Sequence, residues 1–182
     1  MKEISLHILD IAKNSIRAGA SLVGISLVED DTTLTLTIRD DGCGMDEELL
    51  ASVKDPFSTT RTTRKVGLGI PLLTMAAGQT GGFVDITSET GENHGTTLVA
   101  KFYTNHIDCM PIGNMPETVA TLIQGSPQID FEFCHQKGNH TVFLSTKEMR
   151  DILGDDVALD CPDVVLWIIE SLSNEYHLLS QK

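Results

Sequence analysis

Leucine and isoleucine alternate with threonine between Thr33 and Ile38, and this alternation constrains the fold more than any other feature of the sequence. Successive side chains of a strand point to opposite faces, so a period of two puts the aliphatic side chains on one face of a sheet. A second strand is predicted just upstream, at residues 21–28. The polar run Glu29-Asp30-Asp31 between the two strands predicts a hairpin connection.

Helical and strand patterns alternate along the first hundred residues. Apolar side chains at helical spacing predict an opening helix over residues 4–18, which Gly19 ends, and further helices from about residue 46 and over residues 70–79. Two more strands are predicted at residues 83–87 and 96–102. This order predicts an α+β fold, a two-layer α/β sandwich whose mixed sheet is covered by helices on one face.

The chain beyond residue 104 has a different charge balance. Residues 105–182 carry 4 basic and 12 acidic side chains, a net charge of −8 out of −13 for the whole chain. A hairpin is predicted from strands at residues 128–134 and 140–145, followed by helices at residues 145–153 and 162–179. We therefore expect a domain at residues 1–104 and a small α/β extension of undetermined role at residues 105–182.

Composition excludes several classes of protein. No apolar run approaches the roughly 20 residues that cross a bilayer, so a membrane-spanning protein is disfavoured. The acidic balance, with a pI near 4.7, argues against binding nucleic acid through a basic face. The four cysteines are scattered without a CxxC pair, which is typical of reduced thiols and predicts a cytoplasmic protein.

Polar residues on the opening helix form the first candidate site. Asp10 and Asn14 are four positions apart and Arg17 follows three later, so all three project from one face. A carboxylate beside a carboxamide can hold a metal-bound water network, and a guanidinium can contact phosphate. The alternative for this trio alone is a solvated polar helix face.

Two glycine-containing segments form further candidate sites. Asp40-Asp41-Gly42-Cys43-Gly44 follows a strand, so Asp40 could accept a hydrogen bond from an exocyclic amine while the glycines let a flat ligand approach; the alternative is a plain turn. Gly67-Leu68-Gly69 opens a helix, whose N-terminal amides favour anions. Arg61, Arg64 and Lys65 lie just upstream and could clamp phosphate; the alternative is a solvated loop.

Taken in order, these segments resemble the boxes of the GHKL ATPase/kinase superfamily, which has the Bergerat fold and includes DNA gyrase, the heat-shock ninety chaperones, sensor histidine kinases and mismatch-repair MutL. The run from Asp10 to Ser15 resembles the N box, and Asp40 to Gly44 the G1 box. Gly67-Leu68-Gly69 resembles the G2 box and Gly95-Thr96-Thr97 the G3 box. Residues 56–61 also resemble a segment that precedes the G2 box in sensor histidine kinases.

The resemblance implies ATP and Mg²⁺ as ligands and a role for each matching residue. Asn14 would coordinate Mg²⁺, Asp40 would recognise the adenine amino group with Thr96 beside it, and Gly42 and Gly44 would shape the adenine pocket. The remaining residues would contact the phosphates: Arg17, Arg61, Arg64, Lys65, Gly67, Leu68 and Gly69.

The residue at the position of the general base differs from the one in hydrolytic members of the superfamily. Where they usually have glutamate this chain has Asp10, a side chain one methylene shorter, and the reach of a base decides whether it can act. Only nine residues stand before Asp10, so we expect any phosphoacceptor to be a separate, unidentified partner protein. The sequence leaves open slow ATP hydrolysis or phosphoryl transfer, a non-catalytic ATP sensor, and an anti-sigma-type serine kinase.

Overall fold

The computed structural model describes residues 2–54, 69–154 and 157–180. Within that part the chain forms six helices and six strands. The helices are α1 (Ile4–Arg17), α2 (Glu47–Lys54), α3 (Gly69–Gln79), α4 (Met115–Gly125), α5 (Thr146–Leu153) and α6 (Pro162–Ser180). The strands are β1 (Leu22–Glu29), β2 (Thr33–Asp40), β3 (Phe83–Glu89), β4 (Gly95–Tyr103), β5 (Asp130–Lys137) and β6 (His140–Ser145).

All six strands belong to one mixed sheet in the order β3-β4-β2-β1-β5-β6. Strands β1 and β5 pair in parallel, and the other neighbours are antiparallel. The predicted hairpin closes as expected, because the Asp30 carboxylate accepts hydrogen bonds from the backbone N–H groups of Thr32 and Thr33. The central strands β2 and β1 are therefore fixed by neighbours on both sides.

The helices cover one face of this sheet. Ile25 of β1 lies opposite Ile38 of β2, which in turn lies opposite Leu98 of β4, and all three are almost completely buried. Burying each such side chain contributes about 1.5–3 kcal/mol to stability. Helix α1 packs on β1 and β2, α3 packs on β3 and β4, and α4 lies against both α1 and α6. The predicted α+β sandwich is confirmed.

The opposite face of the sheet carries the threonines of the alternating pattern. Thr35 and Thr37 of β2 are half-buried, and Arg39 is exposed. An antiparallel sheet can leave one face to solvent when its side chains alternate in this way. The alternation between Thr33 and Ile38 therefore assigns the faces correctly.

The extension at residues 105–182 adds two strands to the same sheet. Strand β5 pairs with β1 from Leu22 opposite Asp130 to Glu29 opposite Lys137, and the buried side chains of α4, β5 and α6 join those of α1 and β1 in one core. The division at residue 104 and a separate role for the extension stay predictions. None of the helices in the described part of the chain is both long and apolar enough to cross a membrane.

Candidate functional site

Asp40 is the last residue of β2 and lies beside helix α1. Its side chain is 9% exposed. The Ser15 hydroxyl donates a 2.5 Å hydrogen bond to Oδ2, and the Gly42 N–H donates to Oδ1 at 3.0 Å. A carboxylate oxygen can accept more than one hydrogen bond, so these two donors orient the carboxylate and leave it capacity for a ligand.

Thr96 lies directly opposite Asp40 in the register of β4 against β2. Its hydroxyl is 2.9 Å from that of Ser88 on β3, and Ser88 Oγ also donates to the Gly95 carbonyl at 3.0 Å. The Met45 N–H donates to the same Ser88 oxygen at 2.8 Å. Ser88 thus ties the loop after β2 to β3 and β4, and it positions Thr96 beside Asp40.

Glycine is required where this loop meets the sheet. Gly44 has φ +70°, and a Cβ there would overlap the Glu89 carbonyl. Gly95 has φ +147°, and a Cβ there would overlap the Asp40 carbonyl. L-residues with a side chain rarely adopt such conformations, so both glycines allow the backbones to approach closely.

The start of the loop is held from two sides. Gly42 is buried, and a Cβ built on it would lie only 2.9 Å from the Cβ of Ala18. Its carbonyl lies 2.8 Å from Nδ1 of His94. The Asp41 carboxylate accepts hydrogen bonds from the Ser21 hydroxyl and from the backbone N–H groups of Ser21 and Leu22.

The pKa of Asp41 is lowered. Its partial burial raises that pKa, but the hydrogen bonds from the Ser21 hydroxyl and from the Ser21 and Leu22 N–H groups outweigh this effect. The two neighbouring aspartates therefore have different roles. Asp41 binds the backbone at the start of β1, and Asp40 lines the cleft.

Helix α1 brings the predicted polar trio to the edge of the site. Asn14 Oδ1 accepts a 3.2 Å hydrogen bond from the Arg17 guanidinium. Asp10, one turn earlier, lies against the first residue of α3, since a Cβ on Gly69 would overlap Oδ2 of Asp10. Glycine at position 69 therefore lets α3 begin directly beside this carboxylate.

A small cleft lies among these residues. Asp40 and Thr96 line it together with Asn14 and Ser15 of α1. The rest of its lining is apolar: Ile11, Ala18, Ile38, Met45, Ile70, Ile86 and Leu98. An apolar cleft with a few convergent polar groups suits a flat ring that presents an amine to the carboxylate.

His7 lies one turn before Asp10 on α1 and is 1% exposed. Neither ring nitrogen has a hydrogen bond of normal geometry to any described residue. Burial lowers the pKa of His7, while the nearby Asp10 charge and the Gly69 backbone act in the opposite direction. The ring is therefore held neutral close to the junction of α1 and α3.

A magnesium ion would need oxygen ligands from its nucleotide here. The described residues contain no group of three or more His, Cys, Asp and Glu side chains that could hold a metal. Asn14 still fits such an ion, because an amide oxygen has two lone pairs and Arg17 occupies one of them. Protein-bound Mg²⁺ commonly keeps one or two protein ligands and takes the rest from phosphates and water.

Several predicted residues fall outside the described part of the chain: Arg61, Arg64, Lys65, Gly67 and Leu68. The described candidates do meet at one place, around the cleft and the α1–α3 junction. Sequence reasoning assigned no role to Ser15, Ser88 or His94. Ser15 follows Asn14 in the N box and Ser88 pairs with Thr96 across β3 and β4, so only knowledge of strand register could have identified Ser88.

Parts of this chain are similar in sequence to known proteins. Residues 2–106 match the family described as histidine kinase-, DNA gyrase B- and HSP90-like ATPases. A stretch of 44 residues is 50% identical to the C4-dicarboxylate transport sensor protein DctB of Pseudomonas aeruginosa, covering 24% of this chain and 7% of that protein. The chain therefore spans a small part of that sensor's length.

A solved structure shares the fold. The N-terminal domain of a DNA repair protein aligns with a TM-score of 0.54 at 16% identity, over 85% of this chain and 58% of that one. The Aquifex aeolicus MutL ATPase domain, complexed with ADP, aligns at 0.49 and 12% identity over 84% and 69%. Because the family match covers more than half of the chain and includes all four boxes, this protein belongs to the histidine kinase-, DNA gyrase B- and HSP90-like ATPase family.

Proposed function

We propose that this protein binds Mg·ATP in the cleft between α1, β2 and β4, and that it either hydrolyses ATP slowly or transfers the γ-phosphoryl group to a partner protein. The observation that carries the proposal is the pairing of Asp40 with Thr96 at an apolar cleft whose edge is formed by Asn14. Membership of an ATPase family supports adenine nucleotides as the ligand.

The carboxylate of Asp40 would accept a hydrogen bond from the adenine amino group. Ser15 and the Gly42 N–H keep its two oxygens in a fixed orientation, so little ordering would be required when the nucleotide binds. Thr96 would add a second polar contact at the same edge of the ring. The aliphatic side chains of the cleft would then cover the two faces of adenine.

Residues of α1 would act on the phosphate end. Mg²⁺, when bound, supplies positive charge against the phosphates. Asn14 would hold it through its amide oxygen, and the exposed Arg17 guanidinium would contact a phosphate oxygen. We assign the same phosphate contacts to Gly69 and, by resemblance, to Arg61, Arg64, Lys65, Gly67 and Leu68.

Asp10 is the proposed base. Its carboxylate lies at the start of α3, next to the Gly69 backbone, and would accept the proton of an attacking water or of a partner's hydroxyl group. Positioning and charge neutralisation would supply most of the catalysis, as expected for phosphoryl transfer. A protein without turnover would instead be an ATP sensor that alters the docking of a partner.

A binding titration and a phosphate-release assay together test the proposal. Isothermal calorimetry with ATP and Mg²⁺ should show saturable binding that Asp40→Asn weakens by about tenfold or more, while Asp31→Asn, at an exposed position in the β1–β2 turn, should leave it unchanged. Phosphate release should be lost in Asp10→Asn, with binding retained. Absence of adenine-nucleotide binding by the wild-type protein would overturn the proposal, and binding without turnover in the presence of cell extract would favour the sensor.

A further inference from the structure

An apolar groove lies between α5 and α6, outside the residues that match the ATPase family. The groove is lined by Met149, Ile152, Leu153, Asp163, Val164 and Trp167. None of these residues lines the candidate nucleotide cleft. The groove is therefore a second concave site, built entirely from the extension.

Two large apolar side chains of this groove face solvent. Ile152 of α5 is 83% exposed and Trp167 of α6 is 55% exposed. Single exposed apolar residues are common, but a contiguous apolar surface in a concave site is typical of a place where another molecule binds.

The surroundings of the groove are acidic. The described parts of α5, α6 and their connection expose six carboxylates: Glu148, Asp151, Asp160, Asp163, Glu170 and Glu175. Asp163 itself lines the groove, one helical turn from Trp167. Two basic side chains lie on α5. The Arg150 guanidinium already binds the Asp130 carboxylate and the carbonyls of Pro127 and Ile129, so the exposed Lys147 is the basic side chain of α5 that offsets part of this charge.

We propose that this groove docks a short amphipathic helix of a partner protein, with an apolar face for the groove and Lys or Arg beside it. Helix α5 has eight residues and is thus about 12 Å long. The α5 residues that line the groove lie between Met149 and Leu153, which is about one helical turn. The groove therefore accepts apolar anchors at positions i and i+3 or i+4 of a bound helix. The carboxylates around the groove select basic flanking residues.

The same charges disfavour other occupants. A second copy of this chain would bring another acidic surface of a protein with net charge −13 against the groove, and like charges at close range repel. An anionic membrane surface would be repelled for the same reason. A basic amphipathic helix is the occupant that satisfies both the apolar lining and the carboxylates.

Tryptophan fluorescence measures binding at the groove, because Trp167 is the single tryptophan of the chain. The full chain is titrated with a synthetic helical peptide of about five turns that has leucine on one face and lysine on the other. Two matched peptides serve as controls, one with glutamate in place of lysine and one with the leucines and lysines scrambled. The basic amphipathic peptide should shift the fluorescence of Trp167 saturably, and both controls should bind about tenfold more weakly or worse.

Paired variants then test the location. Ile152→Lys should weaken binding of the basic peptide by about tenfold without loss of fold, since the side chain is 83% exposed. Ile107→Lys is the matched control, because Ile107 is 96% exposed and is not part of the groove. Equal binding of the basic and scrambled peptides, or equal effects of the two lysine variants, would overturn the proposal. Self-association of the chain that Ile152→Lys abolishes would also overturn it, in favour of a second copy.

Discussion

The hydroxyl of Ser15 donates a buried hydrogen bond of 2.5 Å to Oδ2 of Asp40, joining helix α1 to the end of strand β2. The two residues are 25 positions apart, so this bond depends on the packing of α1 against the sheet. It couples the helix that carries Asn14 to the carboxylate that we assign to adenine recognition. The orientation of Asp40 is thus a property of the whole fold.

Ser15→Ala should therefore affect both stability and nucleotide affinity. Loss of a hydrogen bond to a charged group costs about 1.5–3 kcal/mol, and the Asp40 carboxylate would keep only the Gly42 N–H as a donor within the described residues. We expect a lower free energy of unfolding in urea and ATP affinity weaker by about tenfold. Calorimetry on the folded variant separates the two effects.

Ser21→Ala is the matched control for Ser15→Ala. Ser21 is exposed, and its hydroxyl donates to the carboxylate of Asp41, which does not line the cleft. Nucleotide affinity should be unchanged in this variant. Equal losses of affinity in the two variants would show that the Ser15–Asp40 bond has no special role.

Gly69→Ala should displace the Asp10 carboxylate without unfolding the protein. A Cβ at position 69 overlaps Oδ2 of Asp10, but that oxygen ends a side chain that can rotate away. Replacing a helical glycine by alanine also stabilises a helix by up to about 1 kcal/mol. We therefore expect an unchanged or slightly higher melting temperature together with phosphate release reduced as strongly as in Asp10→Asn.

The control for this change lies in the same helix. A Cβ on Gly78 of α3 meets no other atom within 4 Å, so Gly78→Ala should be stable and keep the wild-type rate of phosphate release. If Gly69→Ala also retained that rate, the position of Asp10 beside Gly69 would not matter for turnover, and Asp10 would lose its proposed role as the base.

Much of this site follows from the sequence, because its parts are local. The alternation between Thr33 and Ile38 puts Asp40 two positions further on the buried face, and the glycines after it predict the turn. Spacing alone puts Asn14 one turn after Asp10. The site residues predicted in this way are local features of one helix and one strand end.

Other features depend on tertiary contacts and could not be derived. Ser88 meets Thr96 only through the register of β3 against β4, and the parallel pairing of β5 with β1 joins residues more than a hundred positions apart. Helix α4 is not among the elements that the sequence pattern predicted. Its start is marked in the sequence by Asn114, whose side chain caps the helix by accepting from the Glu117 N–H, and by Pro116 in the first turn.

Replacing His7 by leucine should stabilise the protein. Its ring nitrogens are buried without a normal hydrogen bond to the described residues, and an unsatisfied buried polar group costs about 1–3 kcal/mol. Burial also lowers the folded-state pKa of His7 below its ordinary value of 6.5. As the pH falls through 6.5 the unfolded chain takes up a proton that the folded chain resists, so the wild type loses stability there.

Urea denaturation between pH 8 and about pH 5 tests this directly. His7→Leu should unfold at higher urea than wild type, and the difference should widen as the pH falls. His177→Gln, at an exposed position on α6, serves as the control and should follow the wild-type curve. Destabilisation by His7→Leu at every pH would instead mean that the ring makes a contact, such as that with the Gly69 backbone, which the protein needs.

The Glu29–His135 pair should make the attachment of the extension sensitive to acid. His135 on β5 is 1% exposed, and its Nε2 lies 2.9 Å from Oε1 of Glu29 on β1, while Nδ1 lies 2.7 Å from the Tyr176 hydroxyl of α6. The hydrogen bond from His135, aided by the nearby Lys137, lowers the pKa of Glu29 against the opposing effect of burial.

A carboxylate with a lowered folded-state pKa contributes stability that is fully present above its ordinary value of 4.5 and is lost as the pH falls through the folded value. Wild-type protein should therefore lose stability below pH 4.5 more steeply than Glu29→Gln, and it should be the more stable of the two at neutral pH. Glu132→Gln, on the same strand as His135, is the control and should keep the wild-type slope. Parallel acid curves for wild type and Glu29→Gln, measured by urea midpoints at each pH, would exclude this pair as a source of acid sensitivity, because only a carboxylate whose pKa differs between the folded and unfolded chain can produce the steeper curve.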